Sequence, residues 1–158
     1  MVTTRSALGR RSRRKGKKFE LVVRDHMLLH LEDPVFQGTL VIRRSSQAER
    51  AWDADLIIES PHAPEWLLGL WVECEHANAP DPWAKLTQAK RDAGAATLRS
   101  GRQRTPVVVW RETGSRTLWL STDLPWMNEL LGLDSAVGRG ILVTARLDEV
   151  LPRLKGRL

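Results

Sequence analysis

One cysteine, Cys74, stands in the 158 residues. It leaves no internal disulfide to form, so nothing points to a secreted, disulfide-stapled scaffold. Long apolar runs are also missing. The longest, 66–72, is far shorter than the ~20 residues a membrane span needs, so no membrane partner is expected. The basic N-terminus lacks the apolar centre of a signal peptide. Its Arg and Ser content suits a transit peptide, but it has no clear amphipathic face. His26, His30 and His62 have no metal-ligand spacing with a cysteine, which argues against zinc. There is no Gly-rich phosphate loop with a trailing Lys-Ser/Thr, no Ser-His-Asp order, no repeat and no long linker.

What the chain does have is an uneven charge. Its net +6 arises in one place. Residues 1–18 hold eight basic side chains (Arg5, Arg10, Arg11, Arg13, Arg14, Lys15, Lys17 and Lys18) and no acid. The remainder carries 17 basic against 19 acidic residues, a net of −2. A positive run beside a weakly acidic body suits a phosphate backbone, because each neutralised phosphate releases condensed counterion. A solvated tail has the same composition. Residues 1–16 are therefore read as a basic, flexible arm, and 17–158 as one domain, long enough to bury its own core.

Periodicity supplies the elements. Phe19, Val22, Val23, Met27 and Leu31 predict a helix from Lys17, closed by Pro34. Strands are expected at Thr39–Arg43, Asp55–Glu59 and Leu68–His76, with 44–52 a polar loop. Asp81 followed by Pro82 starts a second helix, to about Leu98, which presents Trp83, Leu86, Ala89 or Lys90, and Ala93 along one side. Pro106–Trp110 and Thr117–Ser121 are two more strands about a turn at Gly114. Short helices near Leu124–Leu131 and Ala145–Leu154 flank a last apolar run, Ile141–Val143. The order implies an α/β fold, a mixed sheet flanked by helices, with an αβββαβ core.

The chemistry concentrates in two segments, Trp52-Asp53-Ala54-Asp55-Leu56 and Val72-Glu73-Cys74-Glu75-His76. Alternation in a strand puts Glu73 and Glu75 on one side and Val72 and Cys74 on the other, towards the core. Two carboxylates on an apolar strand are costly to bury without a metal or hydrogen-bond donors. Asp55, or else Asp53, opens the neighbouring strand and can reach Glu73. Oxygen ligands of this kind suit Mg²⁺. His76 is either a further ligand or a polar strand end. The tryptophans serve the core, an interface, or stacking on unpaired bases.

Asp55, a hairpin and Glu73-x-Glu75 resemble the D…(D/E)-x-K signature of the PD-(D/E)XK nucleases, and the surrounding fragments resemble archaeal and phage Holliday junction resolvases. Lys15-Gly16-Lys17-Lys18-Phe19-Glu20 is similar to their basic-Gly helix start, with a glutamate four residues after the glycine. Arg44, Ser46 and Gln47 resemble their basic loop. Trp83-Ala84-Lys85-Leu86-Thr87-Gln88-Ala89 resembles the helix after their E-x-K strand, and Pro106–Trp110 the strand beyond. The likeness runs in order from Lys15 to Ser121. It implies a restriction-endonuclease-like fold and metal-dependent hydrolysis of a phosphodiester in branched double-stranded DNA.

In that reading Glu20, Asp55 and Glu73, with the carbonyl of Cys74, bind Mg²⁺ or Mn²⁺. Gln88 orients phosphate or water. Arg10, Arg11, Arg13, Arg14, Lys15, Lys17, Lys18, Arg43, Arg44, Ser46 and Gln47 hold DNA. Paired nicks in a four-way junction imply a homodimer, and the likeness implies the cytoplasm of a bacterial or archaeal host, with a phage as a source. One departure stands out: glutamate, at Glu75, replaces the family lysine. Lys85 or Lys90 supplies the charge instead, or Glu75 joins a second metal site or acts as base, or the chain binds DNA without cutting. A nuclease acting on plain duplex is the other enzymatic reading. Deleting residues 1–14 is expected to weaken DNA binding at all sequences and flatten its salt dependence. A salt slope equal to that of the full chain would remove the arm from the phosphate contacts.

Overall fold

A computed structural model describes residues 4–46, 48–49, 53–131 and 141–158, with side chains from residue 16 onward. Helix α1 (Thr4–Leu31) buries Phe19, Val23, Met27 and Leu31, one residue every four, along a single stripe. Val22, expected on that stripe, is exposed. The helix begins well before Lys17, so the backbone of the basic arm is helical from Thr4 onward. The side chains of Arg10, Arg11, Arg13, Arg14 and Lys15 lie outside the described ones.

After α1 the Asp33 carboxylate accepts from the Val35 N–H and starts a 3-10 turn, Pro34–Phe36. Gln37 and Gly38, at φ 51° and 71°, reverse the chain into strand β1 (Val41–Arg44). Strand β2 (Leu56–Glu59) returns antiparallel to β1, with Ile42 opposite Ile58. A one-turn helix, α2 (Glu65–Leu68), takes the residue expected to open the third strand, which is β3 (Leu70–Ala77).

The crossover follows the expected course. Asp81 accepts from the Ala84 N–H, Pro82 occupies the first turn, and α3 (Pro82–Ser100) stops at Gly101, at φ 70°. It delivers β4 (Thr105–Glu112) parallel to β3, and Gly114 at φ 91° turns the chain into antiparallel β5 (Trp119–Asp123). Helix α4 (Leu124–Leu131) comes next. The last apolar run is a strand rather than a connector. β6 (Leu142–Arg146) pairs along β5 and takes Ala145 and Arg146 from the expected helix, so α5 is Leu147–Lys155. The free edge of β5 offers backbone partners that periodicity does not reveal.

The result is an α/β fold: six strands in the order β1-β2-β3-β4-β5-β6, a mixed sheet flanked by helices. On one face Phe19, Val23 and Leu31 meet Leu56, Val72, Val107, Val109 and the α5 residues Leu151 and Leu154. Each fully buried side chain of this kind contributes about 1.5–3 kcal/mol. On the other face α3 packs through alanines: Ala89, Ala93 and Ala96 lie on Trp71 and Ala54. Both faces of β3 are thus covered, and the carboxylate side of that strand faces a helix rather than solvent. No helix among the described residues is long and apolar enough to cross a membrane.

Gly69 joins α2 to β3 where the chain has no room for a side chain. A Cβ there would stand 2.9 Å from the Gln103 carbonyl and 3.0 Å from that of Glu65. Both are backbone atoms; Gly69 N–H donates to the Glu65 carbonyl, and Thr105 N–H, two residues after Gln103, donates to that of Gly69. Gly69→Ala is expected to destabilise the fold by about 1–3 kcal/mol, measured by urea unfolding. An unchanged midpoint would show that the β3 and β4 starts are free to separate.

Candidate functional site

The first step past the Leu56–Val72 pair of the β2–β3 ladder brings Asp55 opposite Glu73. Asp55 sits in the bend just before β2, and its Oδ2 accepts from the Cys74 N–H at 2.9 Å. A carboxylate has replaced a carbonyl as partner of that backbone donor. Asp53, the other candidate, accepts from the N–H of its neighbour Ala54. Asp55 is therefore the residue that reaches β3.

Glu73 is 7% exposed, beneath α3. The Trp71 indole Nε1 donates to its Oε1 at 3.1 Å, and the Lys85 ammonium stands 2.7 Å from its Oε2. Residues 71 and 73 share a side of the strand, so the indole needs no adjustment to reach the carboxylate. Burial, then the Asp55 charge, push the Glu73 carboxyl up to about 7; Lys85 and the indole bond oppose this. Burial acts to lower the Lys85 ammonium, but the Glu73 and Asp55 charges outweigh it and hold it above its ordinary value. Lys90, the second lysine considered, is engaged elsewhere: it pairs with Asp123 between the rings of Trp83 and Trp126.

Glu75 points towards the start of α3, where its Oε1 accepts from the Asp81 N–H at 3.3 Å. Its Oε2 is buried without a hydrogen-bond partner among the described residues. The Cys74 thiol is driven well above its ordinary range by burial and then by Asp55, Glu20 and Glu73. All three acids expected in the site therefore act on one sulfur. Glu20, 5% exposed on α1, is nevertheless held by Arg44, whose Nε lies 2.5 Å from its Oε2. Among the described residues no three His, Cys, Asp or Glu side chains stand close enough to form a metal cluster. The four-ligand set expected from Glu20, Asp55, Glu73 and Cys74 is not assembled: Glu20 lies with Arg44 on the α1 side of the sheet, whereas Asp55 and Glu73, one residue along their strands from Leu56 and Val72, lie on the α3 side. Asp55 and Glu73 remain as a facing pair of hard oxygen donors whose repulsion a cation would relieve. That suits Mg²⁺, which takes one or two protein carboxylates.

Other expected residues are placed differently. Gln88 is exposed and donates to Asp92, one helical turn on, so it does not face the carboxylates. The Arg43 guanidinium binds Glu59 and Glu49, which hold it further above its already high ordinary value. With Arg44 on Glu20, both strand arginines expected to contact DNA are instead engaged by carboxylates of the chain itself, Arg43 at the surface and Arg44 partly buried. Ser46 closes a local turn, its N–H donating to Glu49. Gln47 lies outside the described residues. Lys17 and Lys18 are exposed. His76 packs on Phe19, on the α1 side of the sheet. The indole of Trp71 was missed as a partner of Glu73, and the guanidinium of Arg44, expected on DNA, was missed as the partner of Glu20. The Trp-x-Glu spacing was a usable signal for the first; nothing local marks the second.

Comparison with known proteins finds no matching family model, no matching curated protein and no matching solved structure.

The raised Glu73 carboxyl carries a definite sign. The folded protein keeps this proton up to about pH 7, whereas an unfolded chain releases it near the usual glutamate value. Glu73 therefore favours folding at acid pH, and that contribution is lost as pH rises through about 7. Asp55→Asn is expected to lower the Glu73 midpoint and Lys85→Met to raise it, read from side-chain carbon shifts in a pH titration without divalent ions. Midpoints indifferent to both changes would place the two charges too far away to matter.

Proposed function

We propose that the chain is a metal-dependent nuclease of the PD-(D/E)XK kind, with a restriction-endonuclease-like core, that cuts branched DNA, four-way junctions above all. The observation that carries this reading is Lys85 on Glu73 beside Asp55. The family lysine is absent from β3, and an ammonium from α3 stands against the same carboxylate. An acidic pair and one cation are then present, although the cation comes from a different element.

In this reading Asp55 and Glu73 hold the divalent ion. The chemistry such an ion supplies is acidification of water and neutralisation of charge on the phosphate. Asp55 is fixed for that role by the Cys74 N–H. The Trp71 indole keeps Glu73 Oε1 in place and leaves the lysine on Oε2. Lys85 places a positive charge where the phosphate gains negative charge during attack, and the alanine face of α3 keeps that charge close to the sheet. The basic turns of α1, with exposed Lys17 and Lys18, offer phosphate contacts away from the carboxylates. Two nicks across a junction call for a homodimer, and a host-cell cytoplasm, with a phage as a source, suits the role.

The lysine at the site is paired rather than free, which favours one rival: a DNA-binding module that has lost cutting. A synthetic four-way junction and its linear arms, each with Mg²⁺, Mn²⁺ or chelator, separate the readings. Cleavage of the junction is expected to need a divalent ion, to vanish in Glu73→Ala, and to fall on the order of 10²–10³-fold in Lys85→Ala, with junction binding retained in both. Equal cutting of the linear arms would assign a duplex nuclease. Binding without nicking under any ion would assign the module.

A further inference from the structure

On the opposite face of the sheet from Glu73 lies a second polar cavity. It is about 310 Å³, lined by Val22 and His26 of α1, Arg111 of β4, Arg116 of the β4–β5 turn, Arg146 at the end of β6 and Asp148 of α5. Arg111 is on this side because its guanidinium rests on the Phe19 ring, 5.1 Å from the centroid, and Phe19 belongs to the α1 core. Two nitrogens in the lining are buried with no hydrogen-bond partner among the described residues: Nε of Arg111 and Nε2 of His26. They come from different elements.

The charge in this cavity is unbalanced. Arg146 is answered by Asp148 at 2.7 Å and by Glu149 at 3.9 Å. Neither Arg111 nor Arg116 has a carboxylate partner among the described residues, in contrast to Arg43, Arg44, Lys85 and Lys90. A buried N–H left without an acceptor is unfavourable. Two guanidinium groups without a carboxylate partner suit a ligand that carries more than one negative charge. A carboxylate brings one; a phosphoryl group brings about −1.5 to −2 at neutral pH, with three acceptor oxygens. The cavity exceeds the size of such a group and is open to solvent on the Arg116 side, where that residue is exposed.

We propose that this cavity is a phosphoryl-binding site, distinct from the Asp55–Glu73 pair, in which Arg111 Nε and His26 Nε2 donate to phosphate oxygens and Arg116 supplies the second charge. The group is either free phosphate or the terminal phosphate of a nucleic acid strand. The site does not depend on the nuclease reading, since none of its residues takes part in that chemistry.

The test uses the full chain, with the His26 ring resonances as reporter and ionic strength matched with chloride. Inorganic phosphate is expected to shift the ring signals saturably, and Arg116→Ala, an exposed change that leaves the core intact, to weaken the effect about tenfold or more. Arg111→Lys keeps the charge but loses the Nε donor, and is expected to weaken it as well. A 5′-phosphorylated oligonucleotide binding more tightly than its 5′-hydroxyl form would assign the strand end; equal behaviour of the two, with inorganic phosphate bound, would assign the free anion. Ring signals that follow chloride and phosphate alike would overturn the site. So would phosphate binding that is unchanged in both Arg116→Ala and Arg111→Lys.

Discussion

Like charges facing each other across two strands under a helix set the terms for this molecule. Asp55, in the bend just before β2, stands opposite Glu73 of β3, and Glu73 is covered by α3. Neither burial nor repulsion is tolerable for two ionised carboxylates unless something positive comes close. The Lys85 ammonium does so, and it can because α3 approaches β3 through alanines. Larger residues at Ala89 and Ala93 would lift the helix and withdraw the lysine. Packing on the α3 face and electrostatics at the carboxylates are therefore one constraint.

The same rule recurs wherever a charge is taken out of water. Glu20 is matched by Arg44 and Asp123 by Lys90; at the surface, Glu49 and Glu59 share Arg43. Arg43, Arg44 and Lys90 of the folded body are engaged in these pairs. Among the described residues Arg111 and Arg116, which line the second cavity, have no carboxylate partner.

Much of the architecture was legible because local chemistry and tertiary structure agree. Asp81-Pro82 starts a helix for reasons contained in those residues, and it does so here. Asp55 and Glu73 were recognisable because acids are rare beside runs such as Leu56-Ile57-Ile58 and Leu70-Trp71-Val72. Arg43 and Gln88 were misjudged for a common reason. A polar side chain near a site in sequence can turn towards the site or towards a nearer partner, and Glu59 and Asp92 are nearer. Strand β6 was missed because edge pairing depends on the backbone of β5, not on the pattern of Ile141–Val143.

The sequence by itself determined most of the elements and their order, the confinement of excess positive charge to the first 18 residues, and the acids available for a site. These follow from backbone preferences, hydrophobic period and composition, all of which act over a few residues. Only the tertiary structure decided which cation answers which acid: Lys85 for Glu73, Arg44 for Glu20, and no carboxylate among the described residues for Arg111. Electrostatic pairing acts through space between residues far apart in the chain, and its strength depends on burial that exists only once the helices have closed over the sheet.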